Sequence, residues 1–309
     1  MFFRLSPKSR VKKILVVSLS NIGDVVLTFP VIDSLKEAFP AAELHIIVGP
    51  KGKSLLTNNP SIAQVILLDK AASLQEKWQW FLKLRRQRFD VIVDLRNSML
   101  PFLLHARYIT WPDIFPPHGH SREKHLKRLE SVLSGKISSR EKYSLFLSSE
   151  DQMGAQKSIC GKKGYVLFSP GAADNRKRWS EEGFARAIRH VVSAYGKSVV
   201  IVGDDKDRQV VERIVKNSPA GVINACGLTT LTELCCIIRE ASLAVTNDSG
   251  VMHLASYLGI PTIALFGPTD PLVYGPWSEG SEALYKGRTM SDISIKDVID
   301  VLDKKLRKI

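Results

Sequence analysis

Twice along the chain, short runs of β-branched and other apolar residues alternate with longer segments whose apolar residues recur at helical spacing. Runs at 13–19 (KILVVSL), 43–49, 64–69 and 89–95 occupy the first half, and runs at 164–171, 197–203, 221–227, 242–248 and 262–267 the second. Uninterrupted apolar runs of this length suit parallel strands covered on both faces. The segment 25–39 (VVLTFPVIDSLKEAF) has helical spacing, with Pro30 expected to kink it or end its first turn. Segments 181–195, 207–217 and 231–241 are helical in the second half, and 293–306 closes the chain with an apolar stripe of Ile295, Val298, Ile299, Leu302 and Leu306. Strand–helix–strand repetition is the βαβ unit, so the predicted class is α/β, with two doubly wound parallel-sheet domains in tandem. The length of 309 residues is about twice the ~150-residue domain prior. The join is expected within 148–162, giving domains 1–150 and 151–309. Such sheets bind ligands outside the carboxyl ends of their strands, and two facing domains would share one cleft.

The chain carries 44 Lys+Arg against 31 Asp+Glu, a formal charge of +13, and residues 1–150 hold 23 basic against 13 acidic residues. That excess concerns partners rather than fold. Segment 74–88 (LQEKWQWFLKLRRQR) predicts a helix with Leu74, Trp78, Phe81 and Leu82 toward a core. Trp80 and Leu84 form a second row flanked by Lys77, Lys83 and Arg88, which suits either domain packing or the surface of an anionic membrane. Nucleic acid is not expected, since no recognised binding motif is visible. Cys160, Cys226, Cys235 and Cys236 have no metal or redox spacing and read as reduced, mostly packed thiols of a cytosolic protein. The N-terminal MFFRLSPKSR lacks the apolar core of a secretory signal, and no run is long enough to span a bilayer.

Three turns carry the candidate chemistry. In SLSNIGD (18–24) a strand passes into a helix, placing Asn21, Gly23 and Asp24 at a strand's carboxyl end. Asp24 is either a helix-capping carboxylate or a general base for a hydroxyl proton. This turn is no G-x-G-x-x-G, and GxxxxGK[ST] is absent, so neither a dinucleotide cofactor nor a P-loop nucleotide is expected. In SPGAADNRKRW (169–179), the small residues Gly171, Ala172 and Ala173 allow close approach of backbone amides to an anion. Arg176, Lys177 and Arg178 supply charge to a phosphate, or form a solvated basic loop. In VTNDSGVMH (245–253) a strand ends at Asp248, and Ser249 and Gly250 open a helix whose free amides suit a pyrophosphate. Asp248 caps that helix or accepts from sugar hydroxyls, and His253 on the same face is a packed residue or a ligand contact. Asp204 or Asp205 in VGDDKD (202–207) is placed for ribose hydroxyls or for capping. His118, His120 and His125 lie in a Pro-rich stretch without a fixed frame, and no metal is expected.

SLSNIGDVVLTFPVIDSLKEAFP, KRWSEEGFA and TNDSGVMHLASYLGIPTIALFGPTDP together resemble, in order and spacing, the glycosyltransferase family 9 heptosyltransferases of lipopolysaccharide core assembly. The resemblance runs from about residue 13 to 277, and residues 98–142 match no recognisable acceptor pattern. It implies a GT-B fold of two Rossmann-like domains facing across a cleft, the first for a lipid-linked core oligosaccharide acceptor and the second for a nucleotide-sugar donor, usually ADP-L-glycero-D-manno-heptose. It further implies Asp24 as general base, Lys177 on donor phosphate, and Asp248, Ser249, Gly250 and His253 in the donor motif, with Asp205 near the adenosine ribose. Inverting transfer without metal or cofactor, in the cytoplasm and at the anionic inner-membrane surface, completes the expectation; the same family using another nucleotide-sugar, or a non-catalytic binder, is the alternative.

Overall fold

In the computed structural model, described for Leu5 and residues 10–69, 71–112, 119–134 and 142–308, the chain divides into two compact units, Met1–Phe146 and Leu147–Ile309. The first holds strands β1 (Lys13–Val17), β2 (Glu43–Val48), β3 (Gln64–Leu67), β4 (Val91–Asp94) and β5 (Tyr108–Ile109) in the order β3-β2-β1-β4-β5. All of its pairs are parallel. Its helices are α1 (Ile22–Ala38), α2 (Lys53–Leu56), α3 (Leu74–Arg86), α4 (Leu100–Leu104) and α5 (Ser121–Glu130).

The second unit holds α6 (Ser149–Ser158), β6 (Val166–Ser169), α7 (Glu181–Tyr195), β7 (Val199–Ile201), α8 (Arg208–Lys216), β8 (Ile223–Asn224) and α9 (Leu231–Arg239). It continues with β9 (Leu243–Asn247), α10 (Gly250–Leu258), β10 (Thr262–Phe266), α11 (Pro271–Tyr274), β11 (Glu282–Tyr285) and α12 (Ile295–Leu306). Its strand order, β11-β10-β9-β6-β7-β8, is again wholly parallel. Each unit is therefore a Rossmann-like doubly wound α/β sheet, as expected, and the central strands β1, β4, β6, β9 and β10 are buried along their lengths but for Lys13. The short edge strands β5 and β11 have no apolar run long enough to announce them.

Two local expectations need correction. Of the two alternatives at Pro30, a stop at the first turn fails, since α1 continues through Pro30 to Ala38. Residues Val25–Phe29 and Val31–Leu35 are all buried, and ~1.5–3 kcal/mol per large buried apolar side chain outweighs the ~3 kcal/mol that an interior proline costs. In α3 the inward side is the second row together with Phe81 of the expected one, while Leu74 and Trp78 are left outside. Leu84 is buried, and Trp80 and Phe81 pack on the cluster of Leu15, Ile47 and Ile92, while Leu74 is 86% and Trp78 60% exposed. The two rows are similarly apolar, so periodicity could not choose between them; docking on the sheet did.

The stripe of α12 does enter the second core through Val298, Leu302 and Leu306, joined by Val301. Cys226, Cys235 and Cys236 are buried free thiols, and burial pushes Cys226 and Cys236 up to about 11; Cys160 is exposed rather than packed.

Candidate active site

Each sheet reverses its strand order once, between β1 and β4 in the first unit and between β6 and β9 in the second. Loops leaving such adjacent strand ends diverge, and the crevice they leave is where doubly wound sheets take ligands.

In the second unit β6 ends at Ser169, in register with Thr246 of β9. One buried side chain fastens both ends of the loop that follows. Asn247 donates from Nδ2 to the Pro170 carbonyl at 2.7 Å and accepts at Oδ1 from the Trp179 amide at 3.2 Å. The Trp179 indole donates to the Ile293 carbonyl at 2.9 Å, anchoring the loop in the core. So held, Lys177 brings Nζ to 2.6 Å from Asp248 Oδ2. That buried oxygen also accepts from Thr269 Oγ1 at 2.6 Å. The pair spans the crevice.

Gly171 and Ala172 are buried in this loop and Ala173 is exposed. A Cβ on Gly171 would stand 2.1 Å from Asp207 Oδ2, so any larger residue would have to displace that carboxylate. Arg178 turns inward: Nε and one terminal nitrogen donate to the Ala172 carbonyl at 3.0 and 2.7 Å, and the guanidinium pairs with Asp207 at 2.8 Å. Arg176 faces out and holds the Asp174 carboxyl down to about 2 through its hydrogen bonds.

Ser249 occupies the N-cap position of α10 with extended backbone, yet its hydroxyl makes no capping bond and is buried without a hydrogen-bond partner. The first-turn amides of α10 thus keep their capacity for an anion. His253 is buried on α10, its ring centroid 5.8 Å from that of Trp277. Asp205 is 80% exposed and paired at 2.8 Å with Arg208, which also donates to the Gly227 carbonyl. Asp204 caps the turn at 205–207, and Asp207 Oδ2 accepts from the Asp204 amide.

In the first unit Asn21 takes the N-cap position of α1, and Asp24 lies in its first turn, where the helix dipole favours a carboxylate. Asn21 Nδ2 donates to Asp24 Oδ2 at 3.0 Å. Asn247, Thr269 and Asp207 escaped the sequence reading. All three lie within or beside motifs already singled out, but no spacing told which side chain meets which.

Among the described residues no group of three or more His, Cys, Asp and Glu side chains is placed to hold a metal. His120 Nδ1 instead accepts from the Arg122 amide at the start of α5, and His118 lies outside the described residues. No helix among them is long and apolar enough to cross a membrane.

The sequence pattern of glycosyltransferase family 9 (heptosyltransferase) matches residues 104–298, well over half of the chain. The chain belongs to glycosyltransferase family 9. It is a glycosyltransferase, of the heptosyltransferase family of lipopolysaccharide core biosynthesis. The lipopolysaccharide core heptosyltransferase OpsX of Haemophilus influenzae is 25% identical to this family 9 chain, over 86% of the chain and 82% of the relative. Lipopolysaccharide heptosyltransferase 3 of Escherichia coli is 27% identical, over 86% of each. In fold, a family 9 glycosyl transferase from Veillonella parvula superposes over the whole of both chains with a TM-score of 0.87 at 23% identity. E. coli heptosyltransferase WaaC, solved with ADP, superposes over 95% of this chain and 99% of its own with a TM-score of 0.76 at 18% identity. These likenesses make the fold GT-B.

Proposed function

We propose that the chain transfers heptose from ADP-L-glycero-D-manno-heptose to a lipid-linked core oligosaccharide, with inversion and without a metal. The observation that carries the reading is the Lys177–Asp248 pair at 2.6 Å beside the uncapped start of α10. An ammonium, free amides and an acceptor for sugar hydroxyls meet there at a switch point, which is what a nucleotide diphosphate-sugar requires. ADP is the favoured nucleotide because WaaC, a protein of like fold, has been solved with ADP.

In this reading residues 151–309 bind the donor and 1–150 the acceptor. Asp24 takes the acceptor hydroxyl proton as that oxygen bonds to the anomeric carbon, and the bond to ADP breaks with its electron pair going to the diphosphate. Lys177 and the amides of Ser249 and Gly250 take up the new charge. Ala173 exposes its backbone to the phosphates, Asp248 meets the sugar once Lys177 turns to phosphate, and Asp205 meets the ribose. Gly171, Ala172 and Arg178 set the loop's shape, while His253 backs the donor motif. The exposed stripe of Leu74 and Trp78, with Lys83, Arg85 and Arg86 on the same helix, supports docking at the anionic, cytoplasmic surface of the inner membrane.

The test is transfer from ADP-heptose to core oligosaccharide, with product anomeric configuration read by NMR and thermal protection by ADP, UDP and GDP compared. Inverted product and preference for ADP are expected. Stronger protection by UDP or GDP would point to another nucleotide-sugar, and retained configuration would remove the inverting mechanism. Sedimentation with phosphatidylglycerol vesicles should weaken as salt rises; salt-independent binding would remove the membrane claim.

A further inference from the structure

The switch point of the first unit holds a cation that the reading above leaves without a task. β4 ends at Asp94, whose buried carboxylate folds the next residues back on themselves. It accepts from the Arg96 amide at 2.8 Å, the Ser98 amide at 2.7 Å and the Ser98 hydroxyl at 2.7 Å. The tight turn aims Arg96 toward β1, where one terminal nitrogen donates to Ser20 Oγ at 3.1 Å. Ser20 is itself fixed, because Gly49 packs against it so closely that a Cβ there would stand 2.6 Å from Ser20 Oγ. One residue further along, Asn21 holds Asp24. Arg96 and Asp24 are thus both fastened to the same short turn between β1 and α1.

This guanidinium differs from the two at the other switch point. Arg176 and Arg178 are matched by Asp174 and Asp207. Among the described residues Arg96 has no carboxylate partner, and its one side-chain bond is to a neutral hydroxyl. A partly buried, permanently charged fork with most of its donors unspent suits a carboxylate or phosphate. Such a group could not approach a carboxylate base without a cation to offset the repulsion.

We infer that Arg96 binds an anionic substituent of the acceptor and so positions the hydroxyl that Asp24 deprotonates. This deepens the acceptor reading and rests on it. The shared chemistry is a sugar-borne oxyanion, either carboxylate or phosphate.

The test is equilibrium titration, without donor, of wild type, Arg96→Gln and Arg96→Lys with deacylated core oligosaccharide in native, dephosphorylated and carboxyl-reduced forms. Arg189→Gln, an exposed site in the second unit, controls for the loss of one charge. Wild type and Arg189→Gln should favour the native form over one stripped form by about ten- to a hundredfold. Arg96→Gln should bind both of those forms alike, and Arg96→Lys should fall between. The stripped form that abolishes the difference names the group. The inference is overturned if Arg96→Gln keeps the wild-type preference, or weakens all three forms by one factor. Wild type that binds none of them overturns the acceptor reading as well, and undiminished ADP protection then shows that the donor reading survives.

Discussion

The two switch points share one topology and are built in opposite ways. In the second unit the crevice is crossed by a wired network: Asn247 fastens both ends of the 170–179 loop, Lys177 and Thr269 converge on one oxygen of Asp248, and Arg178 is locked to Asp207. In the first unit Asp24 is partly exposed and accepts one side-chain hydrogen bond, from Asn21. The contrast fits the work assigned to each. Groups that stabilise charge on a leaving diphosphate do so best when they need no reorganisation, whereas a base must reach an incoming hydroxyl and then release its proton. Wiring protects stability and function together; an open site leaves them separable.

Asp24→Asn tests separability most directly. Turnover should fall by at least about a hundredfold, as for loss of a general base, while the melting temperature stays at the wild-type value. Activity near wild type in a transfer assay would show that the base lies elsewhere. Lys177→Ala should cost on the order of a hundredfold in kcat and also lower stability, by about 1–3 kcal/mol in urea unfolding, because Asp248 keeps a buried charge without its cation. Equal stability of the two variants would erase the distinction between the sites. Gly171→Ala should lose about 1–3 kcal/mol by pushing Asp207 off Arg178, with a raised donor KM and little change in kcat. An unchanged donor KM would mean that the loop tolerates the shift.

The smallest effect concerns acid. Hydrogen bonds from His190 and Tyr195 lower the Asp303 carboxyl, and Ser294 and Lys286 lower that of Asp297. A folded value below the unfolded one stabilises at pH above the ordinary carboxylate range, and that contribution is lost as pH falls below about 4. Asp303→Asn should therefore lower stability at neutral pH by less than about 1 kcal/mol while leaving the acid end little altered, so that the acid limb is flattened. An acid limb of unchanged slope would assign that loss to other carboxylates.

Read from the chain alone, the strands and motifs were legible because their signals are local. Four of the five expected strands in the second half become three to five residues of buried strand, and the three turns fall at strand ends, since an apolar run between helical segments has few other ways to be covered. That Asp24 and the 248–250 turn follow strand ends was legible for the same reason. Which row of α3 faces inward, and that Asp207 rather than its neighbours receives Arg178, were not. Two similar rows, or three acids within four residues, differ little in local preference. Burial against a sheet and pairing across strands distant in sequence decide between them, and only the folded chain brings those partners together.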